Sequence, residues 1–179
     1  MERVTLYDKT FVSYIPNKDI IAATEEVSRK VNDYYRGSED IPVVLCVMNG
    51  ALLFAGELLP RLDFPLQLMS VKLSSYEGTE STGMIREIGH ITGDVSGRRV
   101  LVVEDIVDTG NTVKYIGQLL KAKGACEVKY CTMLLKPDVF KNSFPLDFVG
   151  MEIPNRFIVG FGLDYNELGR NLKDIYVLE

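Results

Sequence analysis

Residues Val100–Thr112 read VLVVEDIVDTGNT. The apolar run Val100 to Val103 is followed by two acids, Glu104 and Asp105. Two more apolar residues lead to Asp108 and a small polar turn, Thr109-Gly110-Asn111-Thr112. A short, continuous apolar run bounded by turn residues is the pattern of a strand buried on both faces. Beyond the turn, Val113, Ile116, Leu119 and Leu120 recur at helical spacing, and Gly124 can end that helix. Strand, acidic turn and helix in this order suggest an open α/β sheet, whose ligands bind beyond the carboxyl ends of strands. The three carboxylates repel one another, so the arrangement implies a bound group that offsets them.

The flanking sequence extends the same pattern. From Asn17 to Arg36, Ile20, Thr24, Val27, Val31 and Tyr34 fall at three- and four-residue steps, with Asn17 able to cap the start and Gly37 the end. IPVVLCV (41–47) reads as a buried strand, MNG (48–50) as the turn after it, and ALLFAGELL (51–59) as a helix stopped by Pro60. LQLMSVKLSSY (66–76) is a strand of mixed pattern. Residues Ser74 to Gly97 are rich in Ser, Thr, Gly and charge, and are long for a connection, which predicts a functional or mobile loop. EVKYCTMLL (127–135) is a strand cut off by Lys136-Pro137. DFVGMEI, RFIVGFG and IYVL are short late strands. The expected fold is α/β: an open, mainly parallel twisted sheet flanked by helices, with the late strands forming an edge or small hood.

The chain has 179 residues, which predicts a single domain spanning 1–179. Its net charge is −5, with no basic block longer than Arg98-Arg99, which counts against a nucleic-acid partner. No apolar run reaches the roughly 18 residues of a membrane span, and MERVTLYDKTF lacks the apolar segment of a secretory signal. Cys46, Cys126 and Cys131 are scattered among apolar neighbours and are expected to be reduced core residues of a cytoplasmic protein. A lone His90 without ligand spacing speaks against zinc.

The segment from Glu104 to Thr112 offers two unlike services. Glu104 and Asp105 can accept hydrogen bonds from sugar hydroxyls or hold Mg²⁺. The following turn, opening a helix, presents backbone N–H groups and the positive end of a dipole to a phosphate, with Gly110 admitting close approach and Thr109 and Thr112 adding hydroxyls. Hydroxyls and a phosphate at that separation describe a ribose 5-phosphate. The plainer account is an acid pair at a solvated strand end followed by an ordinary helix cap. It explains each half but not their conjunction.

The segment resembles the phosphoribosyl pyrophosphate motif of type I phosphoribosyltransferases, and among them the hypoxanthine-guanine group. VMNGALLF, KLSSYEGTESTG, LLKP and DFVGMEIPNRFIVGFGLDYNELGR match further pieces in the same order, covering most of Ile41 to Arg170. The resemblance implies transfer of phosphoribose from 5-phospho-α-D-ribosyl 1-pyrophosphate to hypoxanthine or guanine, with Mg²⁺, in a homodimer or homotetramer. It implies that Asn49 and Gly50 bind pyrophosphate through a non-proline cis peptide at Asn49–Gly50. A basic residue is common in the family where this chain has Asn49. Ser75 and Tyr76 would belong to a mobile lid. Glu104 and Asp105 would hold the ribose and, with Asp164, the metal. Thr109, Gly110, Asn111 and Thr112 would hold the 5-phosphate. Asp108 would act as general base at purine N7, and Lys136 would donate to the 6-oxo group. Phe157 would stack on the base, Ile158 would offer its main chain to the base edge, and Arg170 would approach pyrophosphate. Two rivals belong to other classes: a non-catalytic, RNA-binding sensor of phosphoribosyl pyrophosphate, and a phosphoacceptor signalling domain. The base-pocket residues and the acidic charge weigh against the first. The position of the acid pair, after the third strand or so instead of the first, weighs against the second.

Overall fold

The computed structural model describes residues 2–75, 85–87, 90–141 and 144–179. In chain order it runs β1 (Arg3–Leu6), β2 (Lys9–Ile15), α1 (Asn17–Tyr35), β3 (Val43–Met48), α2 (Leu52–Leu58), a 3-10 turn (Leu59–Arg61), β4 (Gln67–Ser75), β5 (Ile85–Glu87), β6 (Arg99–Val107), α3 (Asn111–Ala122), β7 (Glu127–Leu135), β8 (Phe148–Glu152), β9 (Ile158–Val159) and β10 (Ile175–Leu178). The larger sheet has the order β5-β4-β3-β6-β7-β8. Its strands β4, β3, β6, β7 and β8 are parallel, and β5 is antiparallel on the edge.

The doubly apolar strands lie where the pattern requires. Along β3 and β6, successive side chains alternate between two cores. Val44, Cys46, Leu101 and Val103 face α1 and α2. Val43, Leu45, Val47, Val100 and Val102 face α3, where Ile116 and Leu120 are buried. A Leu101→Ala change at this depth would cost about 2–5 kcal/mol. The smaller sheet, β1-β2-β10-β9, is antiparallel and forms the expected hood.

Three expectations about the fold are corrected. Cys126, expected in the core, is exposed, while Cys46 and Cys131 are buried. Asn17 does not cap α1. The helix starts after extended Pro16, and its first N–H, that of Asn17, donates to Asp174 Oδ1 at 2.7 Å, so the acceptor comes from the hood. The Ser74–Gly97 stretch is not one loop. It contains β5, and Ile91 and Val95 are buried in the α3-side core. The N-terminal β1–β2 hairpin was unforeseen. Tyr76 and most of the expected lid (76–84, 88–89) lie outside the described residues. Ser75 is the last residue of β4.

Candidate active site

β3 and β6 pair in register only as far as Cys46–Val103. Chain order reverses here, since β4 lies on one side of β3 and β6 on the other. Past that pair the two strands part, leaving a crevice at the switch point of the sheet. Glu104 and Asp105 are the next two residues. They lie within β6, which runs on to Val107 against β7, and not beyond its end.

Glu104 is 6% exposed. Its Oε1 accepts from the Asp105 N–H at 3.2 Å, and its Oε2 is buried with no partner among the described residues. Burial, and then the charge of Asp105, hold the Glu104 carboxyl well above the usual carboxylate range. Burial also raises Asp105, partly opposed by hydrogen bonds from Glu104 and from the Ile106 N–H at 2.8 Å. The loop after β3 covers this pair. A Cβ on Gly50 would stand 1.8 Å from Asp105 Oδ2, so only glycine lets the loop lie against the carboxylate. The cis peptide of this loop is Met48–Asn49, one bond earlier than expected, directly after the last residue of β3.

At the far end of β6, the Thr109 N–H donates to Asp108 Oδ1, and Thr109 Oγ1 lies 3.3 Å from the same oxygen. Gly110 takes a left-handed conformation (φ 81°, ψ 6°) and turns the chain into α3, which starts at Asn111 without a side-chain cap. Its leading N–H groups and dipole therefore face the turn. The hood contributes a strap, residues 162–170. Arg170 Nη2 pairs with Asp164 Oδ1 at 2.7 Å and with Glu167 Oε2 at 3.3 Å, while Nη1 donates to the Gly162 carbonyl at 2.9 Å. A Cβ on Gly162 would lie 2.0 Å from the Gly50 carbonyl oxygen, so strap and loop touch backbone to backbone.

These parts enclose a cleft of about 580 Å³. It gathers Asn49, Gly50, Glu104, Asp105, Asp108, Thr112, Asp164 and Arg170 of the expected set. Thr109 and Asn111 line an adjoining hollow with Val139 and Lys141. Lys136, Phe157 and Ile158 do not line the cleft. The Lys136 N–H donates to the Val107 carbonyl at 2.9 Å, which sets it beside the end of β6. Phe157 is 47% exposed on the hood, with Phe11 and Tyr165 rings about it at 6.1 and 5.9 Å. Leu178 N–H donates to the Phe157 carbonyl at 2.9 Å. By the alternation of an antiparallel ladder, the Ile158 main-chain groups then point away from β10, off the open edge of the sheet. Sequence reading missed Lys72 and Glu167, which also line the cleft. Lys72 continues an alternation in which Met69 and Val71 are buried, and that was its available signal.

An acid pair, one member buried and one half-buried, at a sheet switch point and next to a phosphate-ready helix start, defines a nucleotide- or sugar-phosphate-handling α/β protein. Residues 13–166 match the phosphoribosyl transferase domain, and the chain belongs to that family. Within it, the chain is similar to the hypoxanthine-guanine phosphoribosyltransferase of Lactococcus lactis, with 39% identity over 166 residues, 92% of this chain and 89% of that one. The enzyme of the same name from Streptococcus thermophilus is 36% identical, over 90% of this chain and 89% of that one. Among solved structures, a hypoxanthine phosphoribosyltransferase from Staphylococcus aureus superposes with a TM-score of 0.86 at 34% identity, covering 93% of this chain and 90% of that one.

Proposed function

We propose that this chain is a purine salvage enzyme that transfers phosphoribose from 5-phospho-α-D-ribosyl 1-pyrophosphate to hypoxanthine and guanine, giving IMP or GMP and pyrophosphate. The observation that carries this reading is the Glu104–Asp105 pair, the first buried and the second half-buried where β3 and β6 part, with Gly50 against Asp105.

The residues present fit a hard divalent cation. Glu104 Oε2 is a buried carboxylate oxygen without a partner among the described residues, and a cation would replace the proton that burial favours there. Among the described residues no three candidate ligands converge, so Mg²⁺ would take its other oxygens from substrate and water, as it commonly does. When bound, Mg²⁺ neutralises charge on the leaving pyrophosphate. Asp164, held by Arg170, is the third carboxylate within this reading.

Glu104 and Asp105 orient the ribose hydroxyls. Thr109, Gly110, Asn111 and Thr112, with the start of α3, receive the 5-phosphate. The backbone of Asn49 and Gly50, and Arg170, receive pyrophosphate. The C1–O bond weakens toward an oxocarbenium-like state and the purine attacks the opposite face, while Asp108 takes the N7 proton. Phe157 stacks on the base, and the Ile158 main chain meets its edge. Lys136 donates to the 6-oxo group, so adenine, which carries a donor there, is rejected. The family resemblance gives Ser75 and Tyr76 the task of excluding water from the reacting sugar. Catalysis rests on positioning and electrostatics. No observation favours an RNA-binding regulator.

The same reading carries one domain over 1–179 and a homodimer or homotetramer, both supported by the family resemblance. It also carries a cytoplasmic setting, supported by three free cysteines, two of them buried. Nucleotide formation with Mg²⁺, phosphoribosyl pyrophosphate and each of hypoxanthine, guanine, xanthine and adenine tests the reading. Product from hypoxanthine and none from adenine is expected. No product from any base, with phosphoribosyl pyrophosphate still bound, would overturn it in favour of a sensor.

A further inference from the structure

Charge in the cleft is uneven. Glu104, Asp105, Asp108, Asp164 and Glu167 line it against two cations, Lys72 and Arg170. Arg170 is partly committed, through its two Nη atoms to Asp164, Glu167 and the Gly162 carbonyl, while its Nε is buried without a partner among the described residues. The loop Asn49-Gly50-Ala51 contains no cation. Lys72 differs on each count. It is exposed, it lines the cleft, and among the described residues no acid pairs with it. The parallel register sets it opposite Met48, the last residue of β3, and therefore beside the Asn49–Gly50 loop. Its neighbours Met69 and Val71 are buried on the other face of β4, which fixes the direction in which Lys72 points.

We infer that Lys72 is a second cation, beside Arg170, that binds the diphosphate in this cleft, a role that rests on the proposed function and adds a residue to it. An anion entering past five carboxylates needs a counter-charge not already spent on them. A lysine is a point charge on a flexible stem, suited to a group that arrives with substrate and departs as product. Arg170, held by the strap, meets the diphosphate from that side of the cleft and keeps one donor, its Nε, unpartnered among the described residues.

Lys72→Ala and Lys72→Arg test the role, with inorganic pyrophosphate plus Mg²⁺ and ribose 5-phosphate as probes. For Lys72→Ala, the KM for phosphoribosyl pyrophosphate and the inhibition constant for pyrophosphate should both rise about tenfold or more, the loss of one charge-assisted hydrogen bond. The KM for hypoxanthine, inhibition by ribose 5-phosphate and the melting temperature should stay as in the wild type, and Lys72→Arg should recover most of the loss. Pyrophosphate inhibition within twofold of wild type in Lys72→Ala, or an equal loss toward ribose 5-phosphate, would overturn the inference. A wild-type protein inactive with every base would instead overturn the proposed function. Calorimetric titration of pyrophosphate into wild type and Lys72→Ala would still decide the role of Lys72.

Discussion

Glu104 shows most plainly that function and stability pull apart at this site. Its folded carboxyl keeps its proton to a higher pH than the unfolded one, so across that window the folded chain binds more protons. Stability must then fall as pH rises from the ordinary carboxylate value, about 4.5, through the folded value of Glu104. Glu104→Gln removes that slope. Thermal melts of the free protein should show the variant more stable than wild type at pH 8 by a few degrees, with the difference vanishing near pH 4. In a domain of this size each kcal/mol is worth about 2–4 °C. Activity should fall in the same variant, because a neutral amide neither orients ribose hydroxyls as strongly nor attracts a cation. A variant less stable at pH 8 would contradict the burial argument. Asp108 is the opposite case, exposed at the cleft and hydrogen-bonded to the Thr109 N–H. Asp108→Asn should leave substrate KM values within a few-fold and cut kcat about 10²–10⁴-fold, the usual range for a general base. Unchanged turnover would remove that role.

Among the elements, the contact that matters most is glycine on glycine. Gly50 lies on the Asp105 carboxylate, and Gly162 (φ 98°) lies on the Gly50 carbonyl. Gly50→Ala and Gly162→Ala should each destabilise by about 1–3 kcal/mol through overpacking. The double variant should lose less than the sum, because both relieve the same stack. Denaturant melts of the three variants measure this, and strict additivity would mean that loop and strap move independently. The legibility of the elements follows from their physics. The run Val100 to Val103 was readable because an unbroken apolar stretch has few alternatives. That β6 continues through Glu104 and Asp105 was not readable, because charge ordinarily ends a buried strand. Here pairing to β7, from Glu104–Thr132 on to Val107–Leu135, carries the strand onward. The cap of α1 was misread because its acceptor, Asp174, lies far along the chain, where local sequence carries no trace of it.

At the scale of the molecule, the parallel sheet supplies the switch-point crevice and the hood closes over one side of it. The helix-strand alternation made the first legible. The hood was only half legible, since its late strands were read but the β1–β2 hairpin was not. The alternation of Val4 and Leu6 was present, yet the turn at Tyr7-Asp8 carries no glycine, and Tyr7 itself takes the left-handed conformation (φ 51°). Within the site, the acids and the phosphate turn could be read from residue chemistry. For Lys72 the sequence offered only its alternation with Met69 and Val71, because its place beside the Asn49–Gly50 loop depends on the register of β4 against β3. Hood and α1 are also tied where Asp174 and the Lys173 carbonyl meet Asn17, at 2.7 and 2.9 Å. Asp174→Ala should lower stability by about 0.5–2 kcal/mol, as the loss of a helix cap does, readable as a lower urea midpoint.

The measurement that bears most directly on the account is the initial rate of IMP formation from hypoxanthine and phosphoribosyl pyrophosphate with Mg²⁺, for wild type and for the double variant Glu104→Gln, Asp105→Asn. Turnover by the wild type is expected, with a loss of about 10²-fold or more in the variant, which removes both charges at the switch point. No IMP from the wild type, or a folded double variant that keeps its rate, would contradict the proposed function.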